Sequence, residues 1–101
     1  MKISLLGHAT FLIECAGQEL LPDPYFGSWG NPALTRIQPP AARREDAPKP
    51  GQVLVSHNHC DHIDGLFLCS LNKDVLVLTR YLYQNVNRLP GARHTIGLIA
   101  W

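Results

Sequence analysis

The stretch Val53-Leu54-Val55-Ser56-His57-Asn58-His59-Cys60-Asp61-His62-Ile63-Asp64-Gly65 carries three of the chain's five histidines and two aspartates between positions 57 and 64. An apolar run of strand character leads straight into them, so the cluster sits where a strand gives way to a loop. Residues two apart in extended backbone point the same way, which lets His57 and His59 grip one ion. Asp61 and His62 follow at once and offer a carboxylate and a third imidazole to a neighbouring ion. Such donors suit zinc, and also manganese or iron. Two ions close together can share a hydroxide, lowering the pKa of water to about 7 while polarising a phosphoryl or carbonyl oxygen. A solvated loop that happens to be rich in histidine is the bland alternative. Three histidines at this spacing, with an aspartate among them, point instead to metal binding.

Outward from the cluster, the pattern is that of an α/β chain. Gln52-Val53-Leu54-Val55-Ser56 reads as a strand, and Asp64-Gly65-Leu66-Phe67-Leu68-Cys69-Ser70-Leu71 as a short helix with Asp64 at its N-cap. Asp74 to Thr79 is a continuous apolar strand of the kind buried on both faces. Residues 80–89 have helical spacing and stop at Pro90-Gly91, and Thr95 to Trp101 opens a further strand. Upstream, residues 2–6 and 10–15 read as two strands, and Ala16-Gly17-Gln18 as a turn into a third apolar run. The expected architecture is a small antiparallel unit followed by βαβαβ, in a single domain over residues 1–101. Between them, residues 23–50 form an irregular Pro-rich loop, since seven of the eight prolines fall between Pro22 and Pro50. Such a loop is either a mobile surface excursion or a substrate-contacting one. An apolar strand running to Trp101, with no turn or return, reads as cut short.

Composition narrows the functional classes. Hydrophobic residues are 46% of the chain and charged residues 17%, a globular balance. The net charge is +1, and no basic run exceeds Arg43-Arg44, so nothing indicates a nucleic-acid partner. No apolar run approaches membrane-spanning length and no secretory cleavage pattern is evident, which makes a cytoplasmic location the expectation. The odd number of cysteines, without CxxC spacing, argues against a disulfide framework. Cys15 and Cys69 lie in apolar surroundings and read as core fillers, whereas Cys60 belongs to the histidine cluster.

His57-Asn58-His59-Cys60-Asp61-His62 resembles the HxHxDH motif of the metallo-β-lactamase superfamily. The segments Leu5-Leu6-Gly7-His8-Ala9-Thr10 and Leu21-Pro22-Asp23-Pro24 are similar to the opening strands of its phospholipase-D-like and ascorbate-phosphate-lactonase-like hydrolases. The resemblance covers essentially the whole chain, but about the first half of that family's αββα sandwich. It implies that His57 and His59 hold a first metal and Asp61 and His62 a second, with Asp61 also catalytic in orienting the attacking hydroxide. It makes Asp23 a buttress of the metal loop; a turn aspartate before Pro24 is the alternative. His8 is either a satisfied core or strand-end histidine or a residue beside the site. Cys60 falls at a variable position, and His94 lies in a stretch that carries no ligand in the family.

The function so implied is metal-dependent hydrolysis of an ester-like bond in a small-molecule substrate, a phosphodiester or a lactone, by metal-bound hydroxide. Four donors for two ions leave each site short of the three protein ligands usual for catalytic zinc. A non-catalytic metal-binding or scaffold domain is therefore the rival, and self-association or a missing carboxy-terminal half is expected.

Overall fold

The computed structural model describes residues 1–27, 36–57, 59–80 and 94–98. Six strands form one mixed sheet, in the order in which they follow along the chain. β1 (Lys2–Gly7) and β2 (Thr10–Cys15) pair antiparallel, with Ile3 opposite Ile13 and Leu5 opposite Phe11. β2 pairs antiparallel with β3 (Gln18–Pro22) across the two-residue turn Ala16-Gly17. Both turn residues have positive φ, +50° and +75°, the backbone hand that matches the twist of a tight hairpin.

From β3 onward the pairing is parallel, through β4 (Gln52–Val55), β5 (Leu76–Arg80) and β6 (His94–Leu98). α1 (Gly65–Ser70) joins β4 to β5. Asp64 caps it, accepting from the Phe67 N–H at 3.0 Å. The first four strands, the hairpin turn and the capped helix lie where the sequence places them, while β5 begins at Leu76, two residues later than expected. β6 begins at His94, one residue earlier than expected, so His94 opens a strand instead of preceding it. The helix expected over 80–89 and the strand's continuation to Trp101 lie outside the described residues.

Parallel neighbours need a crossover of a dozen or more residues, and the Pro-rich segment is the crossover from β3 to β4. Its two ends are packed: Pro24, Tyr25, Phe26, Ala47 and Pro50 are buried, and the Phe26 ring lies on Phe67 with centroids 4.9 Å apart, while Ile37, Gln38 and Pro39 between them are exposed. Its one regular piece among the described residues is a single 3₁₀ turn, Arg44–Asp46.

Register puts Leu21, Val53 and Val77 side by side on one face of the sheet, where Phe67, Leu68 and Leu71 cover them together with Phe26 and Ala47. The opposite face carries Ile3, Leu5 and Phe11, all exposed, and Ile13, Leu20, Leu54, Leu76 and Leu78, only partly buried. β5 is therefore buried on one face and not on two, because no described element covers the other side. Cys15 and Cys69 are exposed and not core fillers. Cys15 ends β2 beside the hairpin turn, while α1 turns Phe67 and Leu68 inward and leaves Cys69 outside. No helix among the described residues is long and apolar enough to cross a membrane.

Candidate metal centre

The histidine cluster begins where β4 ends, and Asp23 organises it. Asp23 directly follows β3 and has φ +44°, a left-handed conformation that costs a non-glycine residue energy unless its neighbours enforce it. They do so from both sides. The Asp23 N–H donates to the Leu54 carbonyl at 2.7 Å, continuing the parallel ladder. Thr10, fully buried, donates its hydroxyl to the Asp23 carbonyl at 2.7 Å and accepts from the Tyr25 N–H at 3.0 Å.

So held, the Asp23 carboxylate accepts three hydrogen bonds: from the Ser56 N–H at 2.7 Å, from the Ser56 hydroxyl at 2.7 Å, and from Nδ1 of His62 at 2.9 Å. A carboxylate accepts only, so His62 carries its proton on Nδ1 and presents the lone pair of Nε2. Ser56, having donated to Asp23, accepts from Nδ1 of His57 at 2.8 Å, which leaves Nε2 of His57 as a lone-pair donor too. Metal-binding histidines are commonly fixed in this way, by an acceptor at the nitrogen that does not ligate.

The donors are close together. Nε2 of His57 lies 3.0 Å from Nδ1 of His59, and the His57 and His62 ring centroids are 4.0 Å apart. Two nitrogens about 2.05 Å from a tetrahedral ion would sit about 3.3 Å apart, so the His57–His59 spacing fits a shared ion. Oδ2 of Asp61 is 3.5 Å from Nε2 of His62 and 2.8 Å from Nε2 of His8. His8, Asp61 and His62 each bring a possible ligand atom within 4.8 Å of the others. Burial pushes the Asp61 carboxyl up, but the hydrogen bond from His8, its own backbone N–H and the neighbouring imidazoles outweigh this and hold it below the usual carboxylate range.

All six residues singled out from the sequence, His8, Asp23, His57, His59, Asp61 and His62, thus come together at one end of the sheet. The turn-aspartate reading of Asp23 is too small: the residue does make a turn, and its carboxylate also joins Ser56 to His62. His8 is exposed, so it is not a core histidine; it stands at the end of β1, beside the site, and pairs with Asp61. Cys60 is exposed. Sequence reasoning missed Ser56 and Thr10. Ser56 stands directly before the first histidine at a strand end, which is a usable signal. Thr10 gives none, because a threonine in a strand is ordinary.

A family model described as the beta-lactamase superfamily domain matches residues 2–91. A UPF0173 metal-dependent hydrolase of Methanopyrus kandleri is 38% identical over 78 residues, 76% of this chain and 30% of that protein. The N-acyl-phosphatidylethanolamine-hydrolyzing phospholipase D 1 of Caenorhabditis elegans is 38% identical over 65 residues, 58% of this chain and 18% of that one. The crystal structure of an isothiocyanate hydrolase from Delia radicum gut bacteria superimposes with a TM-score of 0.78, covering 98% of this chain and 42% of its own, at 24% identity. That last likeness is one of fold. The chain spans 30% or less of the length of these two curated relatives.

Proposed function

Because the chain belongs to the metallo-β-lactamase superfamily, we propose that it is the amino-terminal part of a metal-dependent hydrolase acting on an ester-like bond, a phosphodiester or a lactone. The observation that carries this reading is the convergence of His57, His59, Asp61 and His62 at the end of β4 around the buried Asp23 carboxylate. In the αββα arrangement, α1 and the sheet are one outer and one inner layer, and the open apolar face suits a second sheet.

His57 and His59 would hold one divalent ion, and Asp61 and His62 a second. Zinc is favoured by the donor set, with manganese or iron as alternatives. When bound, such ions supply an activated water and an electrophilic clamp on the scissile group. The chain's part is to keep that water in line. Asp61, held ionised, would accept a hydrogen bond from that water and orient it toward a small-molecule substrate. Ser56 and Asp23 would accept the Nδ1 protons of His57 and of His62, which turns the Nε2 lone pair of each neutral ring toward the ion.

The test compares metal content and hydrolysis of a chromogenic phosphodiester, with added zinc or manganese. The proteins are this chain, a form extended by a carboxy-terminal half bearing further His and Asp donors, and the His57→Ala/His59→Ala variant of each. Metal should bind to both wild-type forms and be lost from the variants, and turnover should appear in the extended form. Wild-type metal stoichiometry in the double variants would remove the ligand assignment. Four donors for two ions also suit a metal-binding scaffold, and metal bound without turnover in either form would favour that reading.

A further inference from the structure

His8 stands apart from the motif that supplies the other donors, and its geometry gives it a separate task. Resting on the metal-centre reading above, we infer that His8 is a positioning residue: it holds the Asp61 carboxylate in the orientation in which that group meets the metal and the attacking water.

Nε2 of His8 lies 2.8 Å from Oδ2 of Asp61, across 53 positions of chain. The carboxylate only accepts, so Nε2 carries the proton and donates it, and has no lone pair to offer an ion. The bond fixes one carboxylate oxygen and leaves the group's remaining lone pairs for the centre. Ligating carboxylates need such an outer partner, since a free one rotates.

The turn that displays His8 is built for the purpose. His8 has φ +51° and follows Gly7 at φ +139°, two left-handed positions in succession. A Cβ on Gly7 would come within 3.1 Å of both Nη1 of Arg36 and the Cα of Pro40, so the turn is pressed against the β3–β4 crossover. The Leu6 carbonyl accepts from the Ala41 N–H at 2.7 Å on one side of the turn. On the other, Thr10 is bonded to Asp23. A strained backbone clamped at both ends persists only where its surroundings over-determine it. Yet the His8 ring is half exposed, with 48% of its side-chain surface accessible, so burial of the ring is not what the strain serves.

The experiment uses the 101-residue chain, its His8→Phe variant, which keeps a ring but has no donor, and His8→Gln, which places an N–H donor near the former Nε2. Each is titrated with cobalt, read by its visible absorption and by ion stoichiometry, and thermal unfolding checks the fold. His8→Phe should weaken the ion shared by Asp61 and His62 about 10–100-fold, the usual effect of losing an outer-shell partner. His8→Gln should recover most of that affinity with the wild-type cobalt spectrum. Unchanged binding in His8→Phe would overturn the inference. So would a His8→Gln variant that binds as poorly as His8→Phe with an altered spectrum, because His8 would then be a ligand. A wild-type chain that takes up no cobalt at all would overturn the metal-centre reading itself, and this inference with it.

Discussion

Oδ2 of Asp23 and Nδ1 of His62, 39 positions apart in the chain, meet at 2.9 Å, and the same oxygen takes the Ser56 hydroxyl at 2.7 Å. One buried carboxylate therefore orients His62 directly and His57 through Ser56. Asp23→Ala should lower affinity for zinc about 10–100-fold. It should also cost about 1–3 kcal/mol of stability, because the Ser56 N–H loses its acceptor. A chelator-competition titration reads the first effect and urea unfolding the second. Wild-type zinc affinity in a folded variant would show that the imidazoles are oriented without Asp23.

Thr10 links the His8 turn to the Asp23 turn through one hydroxyl. Thr10→Val keeps the shape and removes both hydrogen bonds, to the Asp23 carbonyl and from the Tyr25 N–H. The expected loss is about 1–3 kcal/mol, with zinc affinity falling in parallel. A stability change within about 0.5 kcal/mol, the range of an ordinary surface substitution, would show that the two turns are held by other means.

Asp64 is the second organising carboxylate. Its side chain is 4% exposed and accepts from Nε of Arg44 at 3.0 Å, from the Phe26 N–H at 3.2 Å and from the Phe67 N–H at 3.0 Å. It thereby pins the crossover to the start of α1. Asp64→Ala breaks a part-buried ion pair, orphans the Phe26 N–H and removes the cap, at a cost of about 1–3 kcal/mol. Asp64→Asn should cost less, because its side-chain oxygen still accepts at the cap. Equal destabilisation by the two variants, in denaturant unfolding, would place the whole effect in the lost charge.

Tyr25 sets an alkaline limit. Burial raises its hydroxyl above the ordinary value; the Arg36 cation opposes this, and the Asp64 and Cys60 charges add to it. A pKa raised in the folded state contributes stability that is complete below the unfolded value of about 10 and is lost as pH climbs through the folded one. The chain should therefore lose stability above about pH 10, and Tyr25→Phe should lose less of it over the same range. Difference absorbance of the tyrosinate band, wild type minus variant, should place the Tyr25 transition later than that of a free tyrosine. A transition at the ordinary position would refute its burial.

The open sheet face has a solution consequence. Ile3 and Leu5 are 57% and 61% exposed, next to the partly buried Ile13, Leu20 and Leu54. Contiguous apolar surface of this kind drives association. The chain alone should self-associate, and Leu5→Lys should shift it toward monomer in sedimentation. A monodisperse wild-type monomer with cooperative unfolding at ordinary concentration would count against this.

What the sequence makes legible is what is local. In residues 52–65 the apolar strand, the spacing of the donors and the capping aspartate are all neighbours in the chain, and each appears where its physics puts it. The bonds from Asp23 to Ser56 and from His8 to Asp61 span 33 and 53 positions, and no spacing rule announces them. Once parallel pairing is assumed, the length of the Pro-rich segment could have been read as a crossover, because β3 and β4 cannot be joined by a short turn. Cys69 misleads for a different reason. Its neighbours describe the composition of α1, whereas its exposure depends on which side of a six-residue helix meets the sheet.

Each strand of the sheet lies beside the strand synthesised just before it. Among the described strands, each from β2 onward meets a partner already made, and none has to be threaded between two already paired. The imidazoles and carboxylates gathered beyond the end of β4 come from positions 8 to 62, upstream of β5. These donors have left the ribosome's peptidyl-transfer centre before the fifth strand is translated, and a nascent chain holds them while it is still being extended.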